Sequence, residues 1–292
     1  MCRWLAYLGS PIPIGDVLLK PNHSLIDQSL VARELYVPCA GTSPVRYRPE
    51  PTNGDGFGIA WQGRAGIMAQ YRQTSPAWDS QNLRHLAVQI ESGCFFAHVR
   101  SAPGGSISDQ NCHPFVHDGW AFQHNGEIRD FAVVKRELTF DVDPQLYPYI
   151  LGSTDSEVCF FLALTYGLAS DPVAAFNRMV TRVERARKEH QLAESFRATM
   201  CASDGDRLVV LRWVSPDASD ERAPSLFHST GAQSLRAIDG SATYLPEDAQ
   251  LVVSEPLELH WSRRTWRAIP DGTISVFETG REPVFSPVEL AA

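Results

Sequence analysis

The chain has 292 residues, 43% of them hydrophobic, with a formal net charge of -8 at pH 7 and a pI ≈ 5.6. That apolar content supplies a substantial core, while the acidic balance and the lack of any basic run argue against nucleic acid as a partner. No apolar run reaches transmembrane length, and residues 1–20 lack the basic and continuous apolar regions of a secretory signal, so the expectation is a cytoplasmic protein with no membrane partner.

Met1-Cys2-Arg3 opens the chain, and Cys2 to Leu8 reads as a first strand ended by Gly9-Ser10-Pro11. Cytosolic processing favours removal of Met before a small residue, which would make Cys2 the mature N-terminus, with a thiol nucleophile and a free α-amine on one residue. Such an amine titrates near pH ~7.7–8.0 and can accept the thiol proton without any histidine. A small residue opening a strand would look the same at this position alone. The other cysteines form no C-x-x-C pair, and Cys94, Cys159 and Cys201 lie in apolar runs as buried small residues.

A short helix is expected within Pro13 to Lys20, and weak helical periodicity runs from Ser24 to Tyr36. Residues 37–52, rich in proline, read as an irregular surface loop. Asn53-Gly54-Asp55-Gly56 then feeds a strand to Trp61, with Ile67 to Tyr71 as its hairpin partner. Ser80 to Ser92 is helical, and Cys94 to Arg100 is a strand ending on a cation. After the Ser101–Ser106 segment and Asn111-Cys112-His113-Pro114, a strand over Trp120 to Gln123 ends at His124-Asn125-Gly126. Helices are expected over Arg129–Leu138, from Gly152 to about Leu168, and over Asp171–Gln191, the second opened by Thr154-x-x-Glu157 at capping-box spacing. Beyond Ala193 the pattern is of strands: Phe196–Ala202, Leu208–Val214, Ser225–His228, Gln250–Ser254 and Thr273–Phe277. There is no long polar linker and no internal repeat, so a single domain over 1–292 is expected.

Asn125-Gly126 offers a carboxamide N–H beside a backbone N–H, the two donors an oxyanion hole needs, although Asn-Gly is also a common hairpin turn. Arg100 can grip a carboxylate in bidentate fashion, or be a surface cation. Asp155 can hold an ammonium group, or simply be an acid favoured by a helix start. His113 and His117 have the spacing of a metal pair, but Pro114 between them and the lack of a third ligand argue against a metal site.

Read in order, Cys2, Asn53-Gly54-Asp55-Gly56, His98-Val99-Arg100, Asn111-Cys112-His113-Pro114, His124-Asn125-Gly126 and Thr154-Asp155-Ser156-Glu157 resemble the class II glutamine amidotransferases, which are N-terminal-nucleophile hydrolases. This covers roughly residues 1–170. The opening Cys-Arg-Trp-Leu-Ala-Tyr and Val253-Ser254-Glu255-Pro256 are similar to a stand-alone subfamily that includes γ-glutamyl hydrolases and a glutathione-degradation amidotransferase subunit. The resemblance implies an α+β fold, a four-layer αββα sandwich of two stacked, mainly antiparallel sheets. It implies Cys2 as nucleophile, Asn125 and Gly126 as oxyanion hole, Arg100 on the substrate α-carboxylate and Asp155 on the α-ammonium. It also implies His113 near the substrate pocket, Asp55 and Gly56 beside the nucleophile, and no cofactor or metal.

The expected reaction is hydrolysis of a γ-glutamyl amide, glutamine or a γ-glutamyl peptide or amine, through a thioester on Cys2. The alternatives are a glutaminase subunit that delivers ammonia to a separate acceptor enzyme, and a silent regulatory partner. Two departures bear on substrate. Ser101-Ala102-Pro103-Gly104 replaces the Trp-Ala-Thr-His of the synthases, and no synthase domain follows, so a γ-glutamyl small molecule is the expected partner.

Overall fold

The computed structural model describes residues 1–33, 52–102, 105–218, 222–230 and 234–291. The loop reading at 37–52 lies outside them but for Thr52, as do Cys39 and the end of the helical reading at 24–36. In chain order the strands are β1 (Arg3–Pro13), β2 (Phe57–Gln62), β3 (Met68–Gln73), β4 (Glu91–Val99), β5 (Phe115–His117), β6 (Trp120–Ile128), β7 (Phe196–Ser203), β8 (Arg207–Val214), β9 (Phe227–Ser229), β10 (Ser234–Arg236), β11 (Ala242–Tyr244), β12 (Gln250–Val253), β13 (Trp266–Ala268), β14 (Thr273–Glu278) and β15 (Val284–Pro287). The helices are α1 (Gly15–Leu18), α2 (Leu25–Leu30), α3 (Gln81–Gln89), α4 (Phe131–Phe140), α5 (Asp155–Thr165) and α6 (Pro172–Glu189).

Among the described residues the strands form a seven-stranded sheet, β13-β9-β12-β1-β4-β2-β3, a six-stranded sheet, β15-β14-β8-β7-β6-β5, and the small pair β10-β11, all antiparallel. Side-chain alternation along the strands decides how they stack. On β1, Leu5 and Tyr7 join the core under α1, α2 and α3, whereas Trp4, Ala6 and Leu8 join a different core with Ala121 of β6, Cys201 of β7, and Leu208 and Val210 of β8. On the far side, Phe122, Phe196, Ala198, Met200, Val209 and Leu211 pack against α4, α5 and α6. The order is therefore helices, sheet, sheet, helices. Covering both faces explains why β7 is buried at every residue and reads as a continuous run rather than an alternation.

α6 has Asp171 accepting from Ala174 N at 3.0 Å, Pro172 in its first turn and Arg187 and Lys188 in its last, each suited to its helix end. α5 is buried from Ser156 to Ala163, and so shows little periodicity in the sequence. No helix among the described residues is long and apolar enough to cross a membrane.

Several boundaries differ from expectation. Gly9-Ser10-Pro11 does not end the first strand. β1 continues to Pro13 through a register shift between Leu8 and Ile12. At α5, Thr154 caps as expected, accepting from Glu157 N at 3.2 Å. The Glu157 carboxylate does not return to the cap but takes Leu151 N and Gly152 N at 3.0 and 2.7 Å. The reciprocal capping box is at α2, between Ser24 and Asp27.

Candidate active site

Cys2 stands at the head of β1. The register Arg3↔Val99 carries forward to bring Cys2 opposite Arg100 at the end of β4. Its thiol shares the parity of Trp4 and Ala6, so it faces the layer between the sheets. Sγ accepts from Ser101 N at 3.4 Å and lies 3.5 Å from the Ser101 carbonyl oxygen. Arg3 points the other way, into a buried network. Its Nε meets Glu255 Oε1 at 2.6 Å, and its Nη1 donates to the carbonyls of Met1 (3.1 Å) and Cys2 (2.8 Å). Glu255 also takes His23 at 3.0 Å and Arg33 N at 2.9 Å. Burial pushes the Glu255 carboxyl up, but His23 and Arg3 outweigh it and hold it below the usual range. A buried pair of this kind costs about 3–5 kcal/mol when one partner is removed, so the backbone carrying Cys2 is held from behind.

Chemistry separates Cys2 from the other described cysteines. Burial raises the Cys94 thiol to about 12 and that of Cys112 to about 11, and lifts Cys159 and Cys201 well above the ordinary value. The thiolate is the reactive form, and Cys2 is the cysteine among them that is not fully buried.

Arg100 is 5% exposed. Its Nη2 donates to the Ser106 carbonyl at 3.1 Å, while Nη1 is buried without a hydrogen-bond partner among the described residues. Asp55 and Gly56 brace this corner. Arg100 N donates to Gly56 O at 2.8 Å, Asp55 N to Arg100 O at 3.1 Å, and the Asp55 carboxylate accepts from Ala102 N at 2.7 Å. Gly56 has φ +126, and a Cβ there would lie 2.6 Å from Cys112 Sγ, so a side chain is excluded on both counts.

Asn125 and Gly126 do not follow a strand end, and they are not a turn. β6 runs through them to Ile128, with Asn125 opposite Thr199 and Gly126 opposite Ala198. The Asn125 carbonyl accepts from Thr199 Oγ1 at 3.2 Å, and that hydroxyl accepts from the Trp4 indole at 3.2 Å, which joins the two sheets at the site. Asn125 is 2% exposed, and its carboxamide oxygen has no hydrogen-bond partner. Gly126 has φ +149, and a Cβ would sit 1.9 Å from the Arg197 carbonyl, so only glycine fits beside β7. Asp155 opens α5. Its Oδ2 accepts from Ile128 N at 2.7 Å and its Oδ1 from Ser156 N at 2.7 Å.

His113 is buried, tilted against the His98 ring at 4.4 Å and edge-on to Phe115 at 4.6 Å, and neither ring nitrogen has a hydrogen-bond partner among the described residues. His98 Nε2 meets the His124 carbonyl at 3.1 Å, and His124 Nδ1 meets Ser156 Oγ at 2.8 Å. Burial pulls all three imidazoles down: His98 to about 3, with Arg100 and His124 lowering it further, and His113 well below its ordinary value. His117 is not part of this group, packing instead on Tyr149 and Phe161.

The structure thus gathers Cys2, Asp55, Gly56 and Arg100 at one corner and strings Asn125, Gly126 and Asp155 along β6 and α5. Residues with no role assigned from sequence are Arg3, Glu255, Thr199, Asn111 and Ser153. Arg3 had a legible signal, a lone charge in an otherwise apolar strand, and Glu255 lies just past the end of the apolar β12. Thr199 had none.

A family model described as "Glutamine amidotransferases class-II" matches residues 45–289. The chain is 32% identical to "Probable glutamine amidotransferase DUG3" of Saccharomyces cerevisiae, over 94% of this chain and 81% of that one. It is 25% identical to a γ-glutamyl-hercynylcysteine sulfoxide hydrolase of Mycobacterium tuberculosis, over 73% and 77%. A solved glutamine aminotransferase class-II domain protein from Silicibacter pomeroyi superposes with a TM-score of 0.67 at 28% identity, over 98% and 99%.

Proposed function

Since the chain belongs to the class-II glutamine amidotransferases, enzymes that act on amide bonds, we propose that it hydrolyses a γ-glutamyl amide through a γ-glutamyl thioester on Cys2. Loss of Met1 exposes the Cys2 α-amine, which takes the thiol proton. The thiolate adds to the γ-carbonyl carbon. Asn125 and the Gly126 N–H carry the oxyanion. By strand alternation, the Gly126 N–H faces the same edge of β6 as the Ile128 N–H that Asp155 takes. Collapse breaks the C–N bond, and the α-ammonium gives its proton to the leaving nitrogen. Water then adds to the thioester through a second oxyanion, the thiolate leaves, and glutamate is released.

The observation that carries this reading is Arg100. A guanidinium 5% exposed, set opposite Cys2 on the neighbouring strand, keeps Nη1 without a hydrogen-bond partner among the described residues while Nη2 is tied to Ser106. A buried unmatched donor is costly, and a substrate carboxylate satisfies it. Asp155 offers an anion to the ammonium of the same glutamyl group. The relative from Mycobacterium tuberculosis, named as a hydrolase of a γ-glutamyl compound, supports an N-substituted substrate.

The test is glutamate release from glutamine and from a panel of γ-glutamyl peptides and amines under identical conditions. We expect kcat/KM on at least one substituted amide to equal or exceed that on glutamine. Strong preference for glutamine, or activity only with a partner added, would point instead to an ammonia-supplying subunit.

A further inference from the structure

Arg100 and Asp155 are anchored to different layers. The Arg100 backbone, just past β4, is tied to Gly56, just before β2, at the rim of the seven-stranded sheet, whereas the Asp155 carboxylate is tied to Ile128 of the six-stranded sheet. One glutamyl α-carbon presents its carboxylate and ammonium at a fixed separation, so something must fix the separation of the two groups that read them. We propose that Asn111 is a positioning residue that does this, bridging Arg100 to the N-terminus of α5 through Ser106 and Ser153. The proposal rests on the roles of Arg100 and Asp155 given above.

Asn111 is 2% exposed, and its side chain is fully engaged. Nδ2 donates to the Ser106 carbonyl at 3.1 Å, the same oxygen that Arg100 Nη2 reaches at 3.1 Å. Nδ2 also donates to Ser153 Oγ at 3.2 Å, and Oδ1 accepts from Ser153 N at 2.8 Å. Ser153 directly precedes Thr154, which caps α5, and Asp155 is the first residue of that helix. From the other side, Glu157 holds Leu151 N and Gly152 N, so the 151–153 segment is gripped between two side chains. The task needs a carboxamide, with two donors and an acceptor on one short side chain. Aspartate keeps the acceptor and loses both donors. Serine is too short to span the gap, and leucine supplies neither function.

Without this bridge the Ser106 carbonyl that holds the guanidinium loses its tie to Ser153, and α5 loses its tie to the Arg100 corner. Cys2 and Asn125 touch none of these groups by hydrogen bond, so the chemistry downstream of binding is spared. The expected signature is in KM rather than kcat.

The experiment compares wild type with Asn111→Ala, Asn111→Asp, Ser153→Ala and Arg100→Ala on a free γ-glutamyl amide and on its N-acetylated and α-esterified forms. Asn111→Ala should raise KM for the free substrate about 10–100-fold, with kcat within about threefold. It should also narrow the preference for the free substrate over the blocked ones. The rate at which iodoacetamide alkylates Cys2 should be unchanged, which reports an intact fold and nucleophile. KM should rise in the order Ser153→Ala, Asn111→Asp, Asn111→Ala, and the two milder variants decide the matter if the alanine at 111 does not fold. Wild-type KM and selectivity in the 111 and 153 variants, with Arg100→Ala impaired, would overturn the positioning role alone. Wild-type KM in Arg100→Ala would overturn the substrate reading on which it rests.

Discussion

Two buried arginine–glutamate pairs among the described residues are completed differently. Arg187 and Glu184, on α6 beside β8, are closed. Arg187 spends its nitrogens on Glu184 (2.5 Å), Ser215 (2.8 Å) and the Glu194 carbonyl, and Glu184 takes the Trp213 indole at 2.8 Å and Ser215 at 2.7 Å. Arg3 and Glu255, behind Cys2, are open, since Arg3 Nη2 has no partner. Among the described residues Arg100 Nη1, the Asn125 carboxamide oxygen and both ring nitrogens of His113 are also unmatched. Buried polar groups are normally paired, so the Arg187 network serves the fold, while Arg3 and the groups at the candidate site keep polar atoms that the fold does not use.

The contrast breaks most sharply at Cys2. Cys2→Ala should abolish glutamate release while leaving the thermal midpoint near wild type, because the side chain makes only long contacts with Ser101. Cys2→Ser should retain little activity, since a hydroxyl is far harder to deprotonate. Release by Cys2→Ala at even a tenth of the normal rate would remove the nucleophile assignment.

Asn125→Ala comes next. Loss of one oxyanion donor lowers kcat by about 10²–10³, or roughly 2.7–4 kcal/mol, with KM little altered. A near-normal kcat would mean the carboxamide only packs.

The closed network should respond in the opposite sense. Arg187→Met leaves Glu184 buried beside an apolar chain and should cost about 3–5 kcal/mol of stability by urea denaturation, while KM and kcat of the folded enzyme stay at wild-type values. A variant that kept its stability but lost activity would contradict the division between the two regions.

The smallest effect is on acid stability. His98, His113 and His124 have folded values depressed by burial, so the unfolded chain binds more protons as pH falls below about 6.5. Their contribution to stability is therefore complete above that pH. It declines toward the folded values, about 3 for His98, by up to about 1.4 kcal/mol per pH unit for each imidazole. His113→Phe keeps an aromatic ring between His98 and Phe115 and removes one titrating group. Its stability should fall less steeply between pH 6.5 and pH 5 than that of wild type, and parallel curves would show that His113 does not titrate on unfolding.

How much could be read from the sequence follows the same division. The order of motifs from Cys2 to Asp155 is visible because each is a short polar or glycine-containing run set against apolar stretches. The two-sided burial of β1, β4 and β7 was not, since a strand covered on both faces has no alternation to betray it. Asn125-Gly126 looked like a strand end because Asn-Gly usually is one. The strand continues because a glycine at φ +149 passes under the Arg197 carbonyl. Glu157 matched a capping box by spacing, yet tertiary contact sent it to Leu151 and Gly152. The Thr199 bridge between Trp4 and Asn125 joins residues 195 and 74 positions apart, a separation that local patterns do not reach.

The most direct test of the nucleophile is mass spectrometry of active protein before and after an irreversible glutamine analogue, intact and as peptides. Active protein should begin at Cys2, lack Met1, and gain one adduct confined to the N-terminal peptide. Activity with Met1 retained, or an adduct on Cys112 in place of Cys2, would contradict it.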